Sequence, residues 1–174
     1  MKKIVSFDFD GTLFFTPGPI EGEKIWKEKT GLSWPYDGWW SKKETLDLNI
    51  FNIPINPFVH RKYVEAYEDK DTFTLLATGR LARKLQKEVE RVLDQYDLSF
   101  DLVALNDGGE TYRFKTKLFE SLIAKYKPEV FTMYDDRHDH LVQFEIWARF
   151  QPCRVEIIDV TKSDKTPKII NSSK

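Results

Sequence analysis

The stretch Phe7-Asp8-Phe9-Asp10-Gly11-Thr12-Leu13 narrows the choices for this chain more than any other. A short apolar run, Ile4-Val5, leads into it, so it reads as the end of a β-strand breaking into a loop. Side chains alternate along a strand, which lets Asp8 and Asp10 leave on the same side. Two carboxylates side by side repel each other unless a cation sits between them or one holds a proton. Gly11 lets the backbone turn sharply and approach a ligand closely. Thr12 adds a hydroxyl donor beside an anion site. A solvated acidic turn after an edge strand is the plain alternative for this stretch taken alone.

Further along, strands and helices alternate. Residues 3–10 form the first strand. A helix spans Pro57 to Asp69, with Pro near its start. Phe73 to Ala77 is a short buried strand closed by the turn Thr78-Gly79-Arg80. An amphipathic helix runs from Leu81 to Tyr96, with Leu85, Val89, Val92 and Leu93 on one face. A strand from Phe100 to Leu105, a helix from Lys115 to Tyr126, and a strand from Val130 to Tyr134 follow. That last strand runs into Asp135-Asp136-Arg137, and a helix from about His138 to Phe150 precedes a strand from Arg154 to Asp159. Such alternation argues an α/β fold, a parallel sheet covered on both faces, in one domain over 1–160. Ligands of such sheets bind beyond the C-terminal strand ends, where all these acids and the Thr-Gly-Arg turn fall.

Residues 14–56 differ in texture. They hold four of the five tryptophans, Trp26, Trp34, Trp39 and Trp40, and one short helix, Glu21 to Lys29. The segment reads as a loop-rich insertion over the strand end. Its aromatics either pack it onto the body or form a lid or substrate platform on which bases stack. The tail from Thr161 is polar, carries four lysines and is expected to be mobile.

Bulk properties exclude several partners. A net charge of −1 gives no global basic field for nucleic acid or membrane, although Lys and Arg number 27 and leave room for a local patch. The single Cys153 excludes an internal disulfide and fits a reducing compartment. No apolar run approaches a membrane span, and the N-terminus carries no signal pattern. A soluble, cytoplasmic protein is expected.

Four stretches together carry a family resemblance. Phe7-Asp-Phe-Asp-Gly-Thr-Leu13 resembles the first motif of the haloacid dehalogenase (HAD) superfamily of phosphotransferases. Thr78-Gly79-Arg80 resembles the second, Lys115 in Phe114-Lys-Thr-Lys117 the third, and Asp135-Asp136 the fourth. The resemblance implies a three-layer Rossmann-like fold and an Asp8 nucleophile. It makes Asp10 the general acid/base and Lys115 the cation that neutralises nucleophile and phosphoryl group, with Lys117 as rival. Thr12, Thr78, Gly79, Arg80 and Arg137 would bind the substrate. Asp8, the backbone carbonyl of Asp10, and one or both of Asp135 and Asp136 would surround one magnesium ion (Mg²⁺). The implied activity is hydrolysis of phosphate monoesters through an aspartyl-phosphate. Each piece alone has an ordinary reading: a helix N-cap for Thr78, a solvated lysine for Lys115, an N-cap pair for Asp135 and Asp136.

Thr-Gly-Arg at the second motif, Asp-Asp-Arg at the fourth, and Pro19 through Trp40 are similar to the HAD domain of the Swiss Army Knife RNA-repair group. They are more distantly similar to the 3'-phosphatase half of phage-type polynucleotide kinase/phosphatase. The first group often departs from the double-Asp first motif, which this chain keeps. The substrate so implied is a polynucleotide 3'-phosphate end, DNA or RNA, with Arg83, Lys84, Arg113 and Lys117 extending a phosphate track. A nucleotidase or a non-catalytic HAD-fold module are the alternatives. No G-x-x-x-x-G-K-[ST] loop appears, so a kinase or ligase is expected as a separate partner. Of the three histidines, His60, His138 and His140, the last two read as surface histidines beside the fourth motif, with a His138–His140 metal pair as the other reading.

Overall fold

The structure, a computed structural model, describes residues 1–171. β1 (Lys3–Phe7) lies at the centre of a six-stranded sheet. β2 (Thr72–Leu81) and β3 (Leu102–Asn106) extend it on one side. β4 (Val130–Asp135), β5 (Arg154–Asp159) and β6 (Lys168–Ile170) extend it on the other, giving the order β3-β2-β1-β4-β5-β6. The first five strands are parallel, as the alternation of elements implies. The sixth runs the other way and gives the polar tail one short strand. Lys168–Ile170 pairs antiparallel with β5 and closes that edge. The expectation for residues 172–174 lies outside the described residues.

Alternation along β1 sorts its side chains onto two faces. Val5 and Phe7 join a core with α2 (Pro57–Glu68), α3 (Ala82–Asp94) and the insertion. Ile4 joins the opposite core with α4 (Thr111–Tyr126) and α5 (His138–Ala148). This is a three-layer α/β arrangement. On the α2–α3 face Phe7 pairs in register with Tyr134, their rings stacked at 5.1 Å. The same parity directs Asp8, one residue on, toward α4. It sends Asp135 the same way, since Phe131 and Met133 of β4 lie in the α4–α5 core.

Two element boundaries differ from expectation at the site. Thr78-Gly79-Arg80 is no turn: β2 runs on to Leu81, with a register shift against β3 between Thr78 and Leu81. A β-carbon on Gly79 would sit 2.6 Å from the Thr111 hydroxyl, so glycine there lets the start of α4 pack on the strand. α4 itself begins at Thr111, four residues before Lys115. Its cap is Glu110, whose carboxylate accepts from the N–H groups of Tyr112 and Arg113 at 2.9 and 3.1 Å. Glu is an uncommon cap, which hid this start. Lys115 therefore stands in the second turn of α4 and points into the protein.

The insertion is ordered by α1 (Pro19–Thr30), a 3-10 turn at Lys43–Leu46, and a tryptophan cluster. Trp39 is buried, donates to the carbonyl of Pro17 at 2.9 Å, and meets Trp34 at 4.6 Å; Trp34 meets Trp26 at 5.0 Å. Packing thus accounts for three of the four tryptophans. Trp40 is 47% exposed and turns to the strand ends.

Gly22, inside α1, lies under the Trp39 ring, and a β-carbon would overlap it. Helix propensity favours Gly22→Ala by about 1 kcal/mol, whereas overpacking costs about 1–3 kcal/mol. We expect a lower urea midpoint for Gly22→Ala; an unchanged or higher midpoint would show that this contact yields easily.

Candidate active site

β1 and β4 are neighbours at the point where the chain, having built one half of the sheet, crosses to build the other. A crevice forms at such a switch point. Asp8 leaves the end of β1 and Asp135 ends β4, both facing α4. The ammonium of Lys115 donates to Asp8 Oδ1 at 2.8 Å and to Asp135 Oδ2 at 2.7 Å. All three are buried. The Arg137 N–H donates to the other Asp135 oxygen at 3.0 Å. Lys117, the rival, is exposed on the outer side of α4.

Asp136 completes a cluster. Carboxylate oxygens of Asp8, Asp135 and Asp136 lie within 4.8 Å of one another. Three carboxylates face one ammonium. Burial, with Asp135 and Asp136 adding to it against the pull of Lys115, holds the Asp8 carboxyl well above the ordinary range. Burial and the charge of Asp135 raise Asp136 as well. Burial alone would lower Lys115, but Asp135 and Asp8 together override it and keep the ammonium charged. Hard oxygen donors with excess negative charge, removed from water, suit a hard divalent cation. The donor set therefore fits the ion the sequence implied. Neither His138 nor His140 belongs to this cluster. His140 is buried rather than on the surface, which corrects that expectation.

Asp10 lives in different surroundings. It lies beyond the strand, where the pleat no longer sets direction, and its carboxylate turns from the cluster. Arg80 binds it in a fork, Nε to Oδ2 at 2.9 Å and Nη2 to Oδ1 at 2.8 Å. Thr16 donates to Oδ1 at 2.7 Å. The Arg80 Nη1 reaches back into the insertion, to the Trp40 carbonyl at 2.7 Å and the Thr45 hydroxyl at 2.8 Å. Its guanidinium also lies over the Trp40 ring, 5.1 Å from the centroid. Arg80 was expected as a phosphate clamp, yet most of its donors are engaged within the protein. It joins Asp10 to the insertion.

The remaining expected residues divide. Asp8, Asp10, Thr78, Gly79, Arg80, Lys115, Asp136 and Arg137 line one cleft of about 700 Å³. Thr12 is fully buried and donates to Asp136 at 3.3 Å, so it steadies a carboxylate rather than facing the cleft. Thr78 accepts from the Arg80 N–H at 3.2 Å; α3 begins only at Ala82, so its amides are not beside that hydroxyl. Arg83, Lys84, Arg113 and Lys117 are exposed and are not among the cleft walls. Thr16, Thr111 and Trp40 are walls that sequence reasoning did not assign. Gly11, at φ +70°, passes so close to the Asp136 carboxylate that a β-carbon would collide with it.

The fold is that of the HAD superfamily, and its crevice brings together acids from the ends of β1 and β4 and a lysine from α4. The chain belongs to HAD domain family 1 in Swiss Army Knife RNA repair proteins, whose family model matches residues 22–169. The stretch bearing Asp8, Asp10 and Thr12 precedes the matched segment. An uncharacterized protein of Saccharomyces cerevisiae, YMR265C, is 28% identical, covering 83% of this chain and 36% of its own length. Two solved structures share the fold. One chain of the Pnkp1/Rnl/Hen1 RNA repair complex matches 91% of this chain at 24% identity, with a TM-score of 0.58. A second structure of that complex matches 88% at 23% identity, with a TM-score of 0.56. This chain spans less than half of each of these relatives.

The geometry makes two predictions. Asp136 has a raised pKa in the folded chain, so its contribution is present at acidic pH and is lost as pH rises through the raised value. With chelator present, Asp136→Asn should gain thermal stability over wild type as pH climbs from about 4 to 7; a constant difference would contradict the strain assigned to the cluster. Arg80→Ala, which strands a largely buried carboxylate, should cost about 3 kcal/mol and speed hydrogen exchange across residues 40–46. Unchanged exchange there would show that Arg80 does not hold the insertion.

Proposed function

We propose that this chain is a Mg²⁺-dependent phosphomonoester hydrolase that works through an aspartyl-phosphate on polynucleotide 3'-phosphate ends. One observation carries the reading: two aspartates two residues apart are held in different surroundings. Asp8 sits against Lys115 among the cation-fitting acids. Asp10 is held by Arg80 and Thr16, free of that cluster.

An Asp8 carboxylate oxygen attacks phosphorus and the P–O ester bond breaks. Lys115, already on Asp8, stays beside the transferring group and offsets its charge, while the Thr78 hydroxyl and the Arg137 side chain at the cleft wall receive the other oxygens. Asp8, Asp135, Asp136 and the Asp10 carbonyl would hold the Mg²⁺, which supplies further neutralisation of nucleophile and phosphoryl oxygens when bound. Asp10 gives its proton to the leaving 3' oxygen. As carboxylate it then takes a proton from the water that attacks the phospho-aspartate, releasing inorganic phosphate and restoring Asp8. Both Asp10 oxygens accept from donors, an arrangement that supports the base role. Substrate oxygens competing for Arg80 would free one oxygen for the acid step.

A nucleic-acid end is supported by the family to which the chain belongs and by the exposed Trp40 at the cleft, a ring on which a terminal base can stack. The insertion then serves as a lid. Net charge is near neutral, so end recognition rather than long backbone tracking is expected. A separate kinase or ligase partner is part of the proposal, in line with relatives that stand in a complex of Pnkp1, Rnl and Hen1. So is a cytoplasmic setting; among the described residues no helix is long and apolar enough to cross a membrane.

Asp8→Asn should abolish Mg²⁺-dependent release of phosphate from a 3'-phosphorylated oligonucleotide, at least a thousandfold below wild type by the size of such losses. Full turnover by that variant would remove Asp8 as nucleophile. Faster wild-type turnover of free mononucleotides would favour a nucleotidase instead, and no turnover of any phosphate ester would favour a binding module.

A further inference from the structure

Beside the reaction cleft lies a second groove of about 610 Å³, between α1 and residues 50–54. The two hollows share Gly11 and Thr16 as walls. Thr16 is the residue that donates to Asp10, so the groove begins next to the group that serves the leaving oxygen.

Its lining has the chemistry of a nucleotide site. Phe14 is fully buried, and the next side chain, Phe15, is turned out, 49% exposed, into this groove. A half-exposed phenyl ring gives up apolar burial that the chain does not recover within itself. Along α1, Glu21, Ile25 and Lys29 recur at a four-residue spacing and so face the groove together. Among the described residues no acid pairs with Lys29, and its ammonium is exposed there. Asn52, on the opposite wall, is also exposed, with an amide that can donate and accept.

Resting on the 3'-phosphatase reading, we propose that this groove holds the nucleotide that precedes the phosphorylated end. Its base stacks on Phe15, Asn52 meets the base edge, and Lys29 meets the phosphate that joins it to the terminal nucleoside. Trp40 stays with the terminal nucleoside in the cleft itself. Glu21 would repel a phosphate placed over it, so the strand runs with a ribose hydroxyl toward that carboxylate. The two hollows meeting at Thr16 make this a single-stranded path with the leaving oxygen at the junction. The groove, rather than a basic surface, is what would separate an oligonucleotide end from a free nucleotide.

The test compares kcat/KM for a 3'-phosphorylated mononucleotide, dinucleotide and hexanucleotide, each as RNA and DNA, in wild type and Phe15→Ala. Wild type should gain on passing from mononucleotide to dinucleotide and little thereafter. Phe15→Ala should remove about tenfold from the dinucleotide and hexanucleotide and leave the mononucleotide unchanged, the size expected for one lost base stack. Phe15→Trp should restore the gain, and Lys29→Gln should reduce its salt dependence. If wild type gains from the second nucleotide and Phe15→Ala keeps that gain, the groove assignment falls while the 3'-phosphatase reading stands. Equal loss on all three substrates shows a structural effect and also overturns the assignment. If wild type turns over all three equally, the groove assignment falls and the 3'-phosphatase reading stands; only faster turnover of the mononucleotide removes that reading as well.

Discussion

Lys115 holds two carboxylates that would otherwise repel each other in a buried place. It joins Asp8 from β1 to Asp135 from β4, so the central pair of strands is tied at its C-terminal end by charge as well as by the sheet ladder. Burying an ammonium is costly unless its partners are close and well placed, and here both lie within 2.8 Å. One ammonium does not balance three acids. The imbalance sits at Asp136, and it is the physical reason the crevice calls for a cation.

The second organising contact is the Arg80 fork. It positions Asp10 and, through its remaining nitrogen, takes hold of the Trp40 carbonyl and Thr45. Placement of Asp10, the acid/base group of the proposed mechanism, and placement of the insertion are therefore one event. Substrate that engages Arg80 acts on both at once. In the proposed reaction this links the aromatic segment to the proton-transfer step.

Much of this was legible in the chain itself. The strand–helix rhythm places the ends of the strands that bear Asp8 and Asp135 at the crevice, but alternation alone would send Asp8 and Asp10 the same way. β1 ends at Phe7, so the pleat does not carry on to Asp10, which turns to Arg80 and Thr16. Residue types at these positions pointed to a cation and a phosphoryl group without any coordinates. Other features were hidden for identifiable reasons. The start of α4 is capped by Glu110, an uncommon cap, so Lys115 read as a helix terminus instead of a buried second-turn residue. Arg80 read as a phosphate ligand because its partners, Trp40 and Thr45, come from a segment whose periodicity says nothing about where it folds back. Thr12 and Thr16 carry the same hydroxyl, and no local pattern tells which one reaches Asp10 and which one reaches Asp136. The antiparallel β6 was masked by the polar residues before it, since only Ile169-Ile170 mark the strand.

The central claim is that Asp8 becomes the phosphorylated group while Lys115 stays beside it and a cation bridges the acids. A crystal structure of the protein with magnesium and beryllofluoride, a mimic of a phosphoryl group bound to carboxylate, tests it most directly. The account predicts the fluoride adduct on an Asp8 oxygen, one metal ion touching Asp8 and at least one of Asp135 and Asp136, and Asp10 with Arg80 facing the adduct. An adduct on Asp10, or a metal ion bound away from Asp8, would contradict it.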